Sequence, residues 1–424
     1  MAAGPRAKLA KEQLRLLNLL LPKLLNGNGF YGPRLRAAGL NLPLTSLEGF
    51  MSLPFTSKTE LQEDQLAHPP FGSNLTYPIE AFTRFHQTSG STGTPMRWLD
   101  TTHSWQTLVR NWKKVFEAAG VTASDRCFFA FSFGPFLGFW TAFEAATSIG
   151  CLSIPGGGMR TLGRLQTLLE NQVSVLCCTP TYAIHLGQMA HQEGIDLSAS
   201  HVKKVLVAGE PGGSIPTVRQ TIQTLWPTAR VFDHHGMTEI GPASFPCPNQ
   251  PNRLHLIEPG FLVEVRDPET GQLVGDGEPG ELILSNLERD GMPLLRYRTG
   301  DLVIAHAGAC ECGDPTTYLE GGILGRLDDM VIIRGVNLYP AAIDAIVREF
   351  AQILEYQVLV EGNQGLSQVN LIIEAGQQTQ GAEIAQALGH RLHAHFNLRI
   401  PVTHVPPGSL PRQELKAKRW IFSD

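Results

Sequence analysis

An α/β fold with a largely parallel sheet, followed by a β-subdomain and a small α+β unit, is what the texture of this 424-residue chain predicts. Three observations carry that reading. From about residue 100 short apolar runs alternate with segments of helical spacing, which is how a parallel sheet with crossover helices reads in sequence. From Leu262 the pattern becomes strand-rich, with turn residues at Glu269-Thr270-Gly271 and Asp276-Gly277. Near Arg326 the texture changes again to mixed helix and strand. A chain of this length also exceeds what one hydrophobic core usually organises.

In chain order, residues 1–80 read as a helical lead-in followed by Pro- and Gly-punctuated loops. The apolar run of residues 14–25 is broken by Arg15, Asn18, Pro22 and Lys23 and falls short of the ~20 apolar residues a spanning helix needs, so it reads as an amphipathic helix packed on the body. Beyond it come helix 105–119, strand 127–131, helix 161–172 and strand 173–178. Helix 182–193, strand 204–207, helix 215–226 and strand 230–232 complete the alternation. The final unit reads as strand 331–333, helix 340–350 opening on Pro340, strands 355–360 and 368–374, and helix 381–396. Loops at the carboxyl ends of such parallel strands are where ligands bind.

Charge and cysteine content narrow the function classes. With 34 Lys+Arg against 39 Asp+Glu, and no basic run beyond Lys416-Ala417-Lys418-Arg419, nucleic acid is not an expected partner. Seven cysteines spread over the chain suit a reducing compartment rather than a disulfide framework. No signal-peptide cleavage pattern follows the first helix, so the cytoplasm is the expected location.

Six segments carry chemistry-bearing residues. Thr88-Ser89-Gly90-Ser91-Thr92-Gly93-Thr94-Pro95 packs hydroxyls and glycines as a loop closing around a polyphosphate would, although the same composition makes an ordinary surface turn. It lacks the Lys-Ser or Lys-Thr of a P-loop. Gly209-Glu210-Pro211-Gly212-Gly213 follows a strand, and Asp233-His234-His235-Gly236-Met237-Thr238-Glu239 follows the next. Glu239 there is the candidate Mg²⁺ ligand, because Mg²⁺ sits between one or two carboxylates and substrate phosphates. Arg296-Tyr297-Arg298-Thr299-Gly300-Asp301 offers an acid for ribose hydroxyls, and Gly325-Arg326-Leu327-Asp328-Asp329 lies at the junction of the two units. Pro411-Arg412-Gln413-Glu414-Leu415-Lys416 places a lysine near the end.

These motifs, in this order over roughly residues 80–420, resemble the adenylate-forming acyl-CoA synthetases and most closely the phenylacetate–CoA ligase group. The resemblance implies an N-terminal adenylation domain over 1–326 and a mobile C-terminal domain over 327–424 that rotates between two half-reactions. It implies ATP, Mg²⁺ and CoA as the small molecules used, with an acyl-adenylate as intermediate. Thr88, Ser89, Gly90, Ser91, Thr92 and Gly93 would cradle the triphosphate, and Gly209, Glu210 and Pro211 would line adenine. His235 and Gly236 would continue that wall, Thr238 and Glu239 would serve phosphate and Mg²⁺, and Asp301 and Arg326 would hold ribose. Asp328 would be the hinge and Lys416 the adenylation lysine. Three positions depart from the family pattern. His235 stands where an aromatic Tyr is common, Thr94 replaces a frequent lysine, and Leu415 replaces a glycine before the catalytic lysine.

Two further clusters are legible. Phe133, Phe136 and Trp140 fall in the region that, by resemblance, lines the acid pocket, and an aryl or arylacetic acid suits such walls. Cys247, His255, Cys310 and Cys312 read either as free, partly buried thiols or as a closed Cys₃His zinc site. An acid–CoA ligase is the leading functional reading. A ligase that loads a carrier-protein thiol and a degenerate nucleotide- or acid-binding homologue are the alternatives. A homodimer is the default expectation for any assembly.

Overall fold

The computed structural model describes residues 4–88, 95–308, 310–333, 336–361, 368–376, 381–412 and 419–423. The lead-in is more helical than its loops suggested. Helix Pro5–Gly27 opens on Pro5 and buries Leu17, Leu20, Leu21 and Leu24 on one stripe, with Pro22 on the exposed side where its missing N–H and ring cost least. Tyr31–Ala37, Glu48–Met51 and Lys58–Ala67 follow, the last opening on a capping box between Ser57 and Glu60. Among the described residues no helix is long and apolar enough to cross a membrane.

The parallel sheet is present with five strands in the order Leu152–Pro155, Arg126–Phe129, Val175–Cys178, Lys204–Val207 and Arg230–Asp233. The sequence reading found four of these. Leu152–Pro155 lies at the sheet edge with Leu152 exposed, so it lacks the apolar run that marks a buried strand. Helix Thr102–Ala118 packs Trp105, Leu108, Val109, Trp112, Val115 and Phe116 inward and is capped by the Thr101 hydroxyl, which accepts from Ser104 N at 3.1 Å.

A hairpin that the sequence reading did not anticipate, Phe82–Gln87 with Arg97–Thr101, brackets the phosphate-loop candidate. Its neck is closed by Thr88 N donating to Met96 O at 2.9 Å and Met96 N donating to Thr88 Oγ1 at 3.0 Å. The strand-rich region forms one six-stranded antiparallel sheet, ordered Ser244–Pro246, Arg253–Leu256, Tyr318–Arg326, Tyr297–His306, Pro279–Asn286 and Phe261–Arg266. It starts before Leu262, the residue at which the strand-rich texture becomes visible.

Beyond Arg326, hairpin Val331–Ile333 with Val336–Leu338 leads into a four-stranded sheet of Val402–Val405, Gln368–Ala375, Ile353–Glu361 and Trp420–Ser423. Helices Pro340–Val347 and Gly381–Phe396 cover it. Its apolar core, which includes Leu338, Ile343, Val358, Leu371 and Leu388, is separate from the two cores formed by residues up to 323.

Candidate nucleotide and acyl-transfer site

The loops that leave the carboxyl ends of the parallel strands Lys204–Val207 and Arg230–Asp233 carry two of the motifs. After Lys204–Val207 the chain passes Gly209-Glu210-Pro211 and runs so close to the next strand that a Cβ on Gly213 would sit 2.6 Å from Val207 and 2.7 Å from Asp233. Glu210 turns away from that loop to accept from Thr181 N at 2.8 Å, so it caps helix Pro180–Gln192 together with Thr179. Asp233 accepts from Ser214 N and His234 N, tying the two loops together.

His234 is buried, and that burial pushes its pKa down to about 3, so the ring is neutral. Its Nδ1–H donates to Ser244 O at 2.8 Å, and the ring lies 4.2 Å from that of Trp112. His235 is held by its backbone, with its N donating to Ser244 Oγ at 2.8 Å. Thr238, Glu239 and Ile240 form the turn between the short strands Gly236–Met237 and Gly241–Pro242.

Strand pairing brings the next two motifs together. In the antiparallel register Asp301 lies directly opposite Arg326, whose Nη1 donates to Asp301 Oδ1 at 3.2 Å. Gly300 adopts φ +74°, a left-handed conformation that favours glycine, and a Cβ there would approach Arg326 at 3.3 Å. On its other side Asp301 Oδ2 sits 3.2 Å from His235 Nε2. The two atoms are out of line for a hydrogen bond, so both remain buried and unsatisfied. Burial alone would raise the Asp301 pKa, but the adjoining His235 and Arg326 outweigh it and hold the carboxyl below its ordinary range. Arg326 also donates to Asp328 Oδ2 at 3.2 Å, which joins the ribose candidate to the hinge candidate.

Glu239 is 9% exposed, and among the described residues nothing hydrogen-bonds its carboxylate. The phenol of Tyr297 reports where that charge lies. Its pKa rises well above the ordinary value, through burial first and then through the negative charge of Glu239, with Arg326 opposing and Asp301 and Asp328 adding. Glu239, Asp301, Asp328 and Arg326 therefore all bear electrostatically on this one buried phenol. Ser89, Gly90, Ser91, Thr92, Gly93, Thr94 and Lys416 lie outside the described residues. Of the residues around Lys416, Arg412 pairs with Glu374, and Arg419 pairs with Glu355 and reaches Thr181 Oγ1 at 3.5 Å.

The aromatic cluster is continuous. Phe133 meets Trp140 edge-on at 4.8 Å, Phe136 meets Phe131 at 5.9 Å, and Phe131 meets Phe139 at 5.4 Å. Phe139 then contacts Trp112 at 5.7 Å, and Trp112 contacts His234. Sequence reading missed Trp112 and Phe139 as members, because their apolar spacing is that of any core residue, and it placed His234 only in the motif that follows strand 230–232.

The cysteine and histidine cluster is assembled. Cys247, His255, Cys310 and Cys312 place their ligand atoms within 4.8 Å of one another. Cys247 and Cys310 sulfurs are 3.7 Å apart, and Cys312 Sγ is 3.3 Å from His255 Nε2. His255 Nδ1 lies 3.2 Å from Thr316 Oγ1.

Comparison with known proteins gives this geometry its context. The profile of the AMP-binding enzyme family matches residues 85–287, and that of the AMP-binding enzyme C-terminal domain matches residues 335–423. A phenylacetate–coenzyme A ligase of Thermus thermophilus is 31% identical over 97% of this chain and 95% of its own. The chain belongs to the AMP-binding, adenylate-forming enzymes. Within that family the ligase resembles the phenylacetate–CoA ligases, and it joins a carboxylic acid to CoA with ATP through an acyl-adenylate.

Among solved structures, 2-hydroxyisobutyryl-CoA ligase in the postadenylation state with an acyl-AMP bound superposes with TM-score 0.93 at 27% identity, covering 99% of this chain and 90% of that one. The same enzyme in its thioesterification state, with acyl-AMP and CoA, superposes with TM-score 0.74 at 28% identity over the same shares of both chains. The chemistry asks for positive charge where anions meet. A carboxylate attacks the α-phosphate and pyrophosphate leaves, and the CoA thiol then attacks the acyl carbon and AMP leaves.

Proposed function

We propose that the ligase activates an aryl or arylacetic acid, with ATP held where His235, Asp301 and Arg326 meet. The observation that carries this placement is the buried pair of unsatisfied atoms, Asp301 Oδ2 and His235 Nε2, at the junction of three separate motifs. A buried polar atom without a partner is costly. An ionised carboxylate oxygen of that kind is an acceptor for a ribose hydroxyl, and the Arg326 contact on its other oxygen fixes its direction. Gly209, Glu210, Pro211 and Gly236 complete the adenine side, with Glu210 fixed by its cap on the neighbouring helix.

Glu239 and Thr238 are assigned to the phosphate end. A buried carboxylate with no hydrogen-bonded partner among the described residues suits a hard cation that prefers oxygen, so Glu239 would hold Mg²⁺. When bound, that ion supplies charge compensation between the phosphates. Thr88, whose hydroxyl closes the hairpin neck, sets where the phosphate loop begins, and Lys416 supplies the second positive charge. The better match to the postadenylation state supports a closed arrangement of the C-terminal unit, and rotation about Asp328 would exchange Lys416 for CoA.

The aromatic chain from Phe133, Phe136 and Trp140 to Trp112 supports an aryl substrate. Assay of phenylacetate, benzoate and 2-hydroxyisobutyrate for acid-dependent AMP release with CoA is expected to rank an aryl acid first in kcat/KM. A preference for 2-hydroxyisobutyrate would reject the aryl assignment. For the nucleotide, Asp301→Asn is expected to raise the KM for ATP about 10–100-fold with little change in the KM for the acid. An unchanged ATP KM would remove Asp301 from the ribose site.

The Cys₃His cluster is assigned to structural zinc. With Zn–S near 2.3 Å and Zn–N near 2.0–2.1 Å, a tetrahedron has edges of about 3.8 Å between sulfurs and about 3.5 Å between sulfur and nitrogen. The 3.7 Å and 3.3 Å separations fit it. The Thr316 hydroxyl beside His255 Nδ1 would leave Nε2 for the metal. A full set of four protein ligands leaves no open position for chemistry, so its role is to staple loops.

A further inference from the structure

We propose that Arg289 is a positioning residue for the phosphate and metal end of the site, acting through the backbone of Thr238 and Glu239 and anchored by Asp100 to the hairpin that carries the phosphate loop. The inference rests on the assignment of Thr238 and Glu239 given above. Arg289 is 1% exposed and uses three nitrogens of its fork. Nε and Nη2 donate to Asp100 Oδ1 and Oδ2 at 2.7 and 2.8 Å, while Nη1 donates to Thr238 O at 3.0 Å and Glu239 O at 2.8 Å. Trp98 lies beside the guanidinium, its ring centroid 5.8 Å away.

The two accepting carbonyls belong to a tight turn that has no ladder partners at its tip. The third carbonyl of that turn, Ile240 O, is taken by Asn286 Nδ2 at 3.1 Å. Side chains from the end of strand Pro279–Asn286 and the residues just after it therefore hold the whole turn from which the Thr238 and Glu239 side chains project. On the other edge of the guanidinium, Asp100 sits in strand Arg97–Thr101, which leaves the phosphate-loop candidate. One buried guanidinium thus links the turn that carries Thr238 and Glu239 to a strand of the hairpin that brackets the phosphate-loop candidate.

Stability does not account for such a pair, because buried ion pairs are often replaced by apolar residues of similar volume without loss. What an apolar replacement lacks is donors for the two carbonyls. Lysine lacks them too in practice, since an ammonium cannot span a carboxylate and two carbonyls as a planar fork does.

The test uses the full-length protein in two forms, the double variant Asp100→Leu/Arg289→Met and the single variant Arg289→Lys. Three readouts are taken: the thermal unfolding midpoint, the Mg²⁺ concentration that half-saturates ATP–pyrophosphate exchange, and calorimetric affinity for a non-hydrolysable ATP analogue with Mg²⁺. The expected result is a near-wild-type midpoint in the double variant. In both variants the Mg²⁺ requirement rises about 10–100-fold, analogue affinity falls in parallel, and the KM for the acid stays unchanged. Wild-type metal requirement and analogue affinity in either folded variant would overturn the proposal. Failure of both variants to fold would reduce the pair to a strut and overturn it equally. A Glu239→Gln control separates the two assignments. If it leaves the Mg²⁺ requirement unchanged, the metal role of Glu239 fails, while the behaviour of the Arg289 variants still decides whether the turn needs its clamp.

Discussion

Replacing Lys416 by alanine is expected to lower acid-dependent ATP–pyrophosphate exchange by about two to three powers of ten while the protein keeps its fold. The magnitude follows from removing one preorganised donor at developing negative charge. The adenylation step brings a carboxylate against a phosphate, and of the cationic side chains assigned to the site only Lys416 is proposed to act at the reacting phosphate. Arg326 is committed to Asp301 and Asp328, and Arg289 to Asp100 and the turn carbonyls. If the C-terminal unit turns Lys416 away before CoA attacks, the same variant should convert supplied acyl-AMP and CoA to thioester at near the wild-type rate. The two assays together give a sharp outcome. Unchanged exchange would remove the lysine from the first step, and equal loss in both assays would contradict its withdrawal from the second. Lys418 is the nearest substitute in sequence and the first variant to compare.

The second large effect concerns the Cys₃His cluster. Cys310→Ser is expected to abolish stoichiometric zinc and to lower the apparent unfolding temperature by roughly 5–10 °C, because a structural site contributes its binding energy to the fold. The consequence should reach the nucleotide. His255 lies in strand Arg253–Leu256, which pairs with Ser244–Pro246, and Ser244 holds both the His235 backbone and the His234 ring. A loosened hairpin therefore loosens the proposed adenine wall, so ATP affinity should fall along with metal content. Metal analysis and an ATP titration on the same preparation test the chain of contacts. Full zinc occupancy with unchanged ATP affinity in Cys310→Ser would break it.

Much of the fold was legible because its signals are local. Strands 204–207 and 331–333 and helix 381–396 coincide with the observed elements, since each is a short apolar run or a helical pattern bounded by turn residues. The edge strand Leu152–Pro155 and the hairpin around the phosphate loop were not, because half-exposed strands such as Phe82–Gln87 carry no apolar alternation strong enough to register.

The candidate site divides along the same line. Motif order singled out Glu210, His235, Glu239, Asp301 and Arg326, whereas residue type left Cys247, His255, Cys310 and Cys312 open between free thiols and a zinc site until the structure brought them together. Residue type says nothing of Arg289, which in sequence is one more arginine between two acids, or of Trp112, which reads as helix core.

The amino-acid sequence by itself determined the alternating architecture, through local apolar patterning, and the class of chemistry, through short motifs whose order resembles that of the adenylate-forming enzymes. Tertiary structure decided which of them meet. Asp100 and Arg289 are 189 positions apart and Asp301 faces His235 across 66. Such meetings are set by how sheets pack and in what register their strands pair, and no local pattern encodes them.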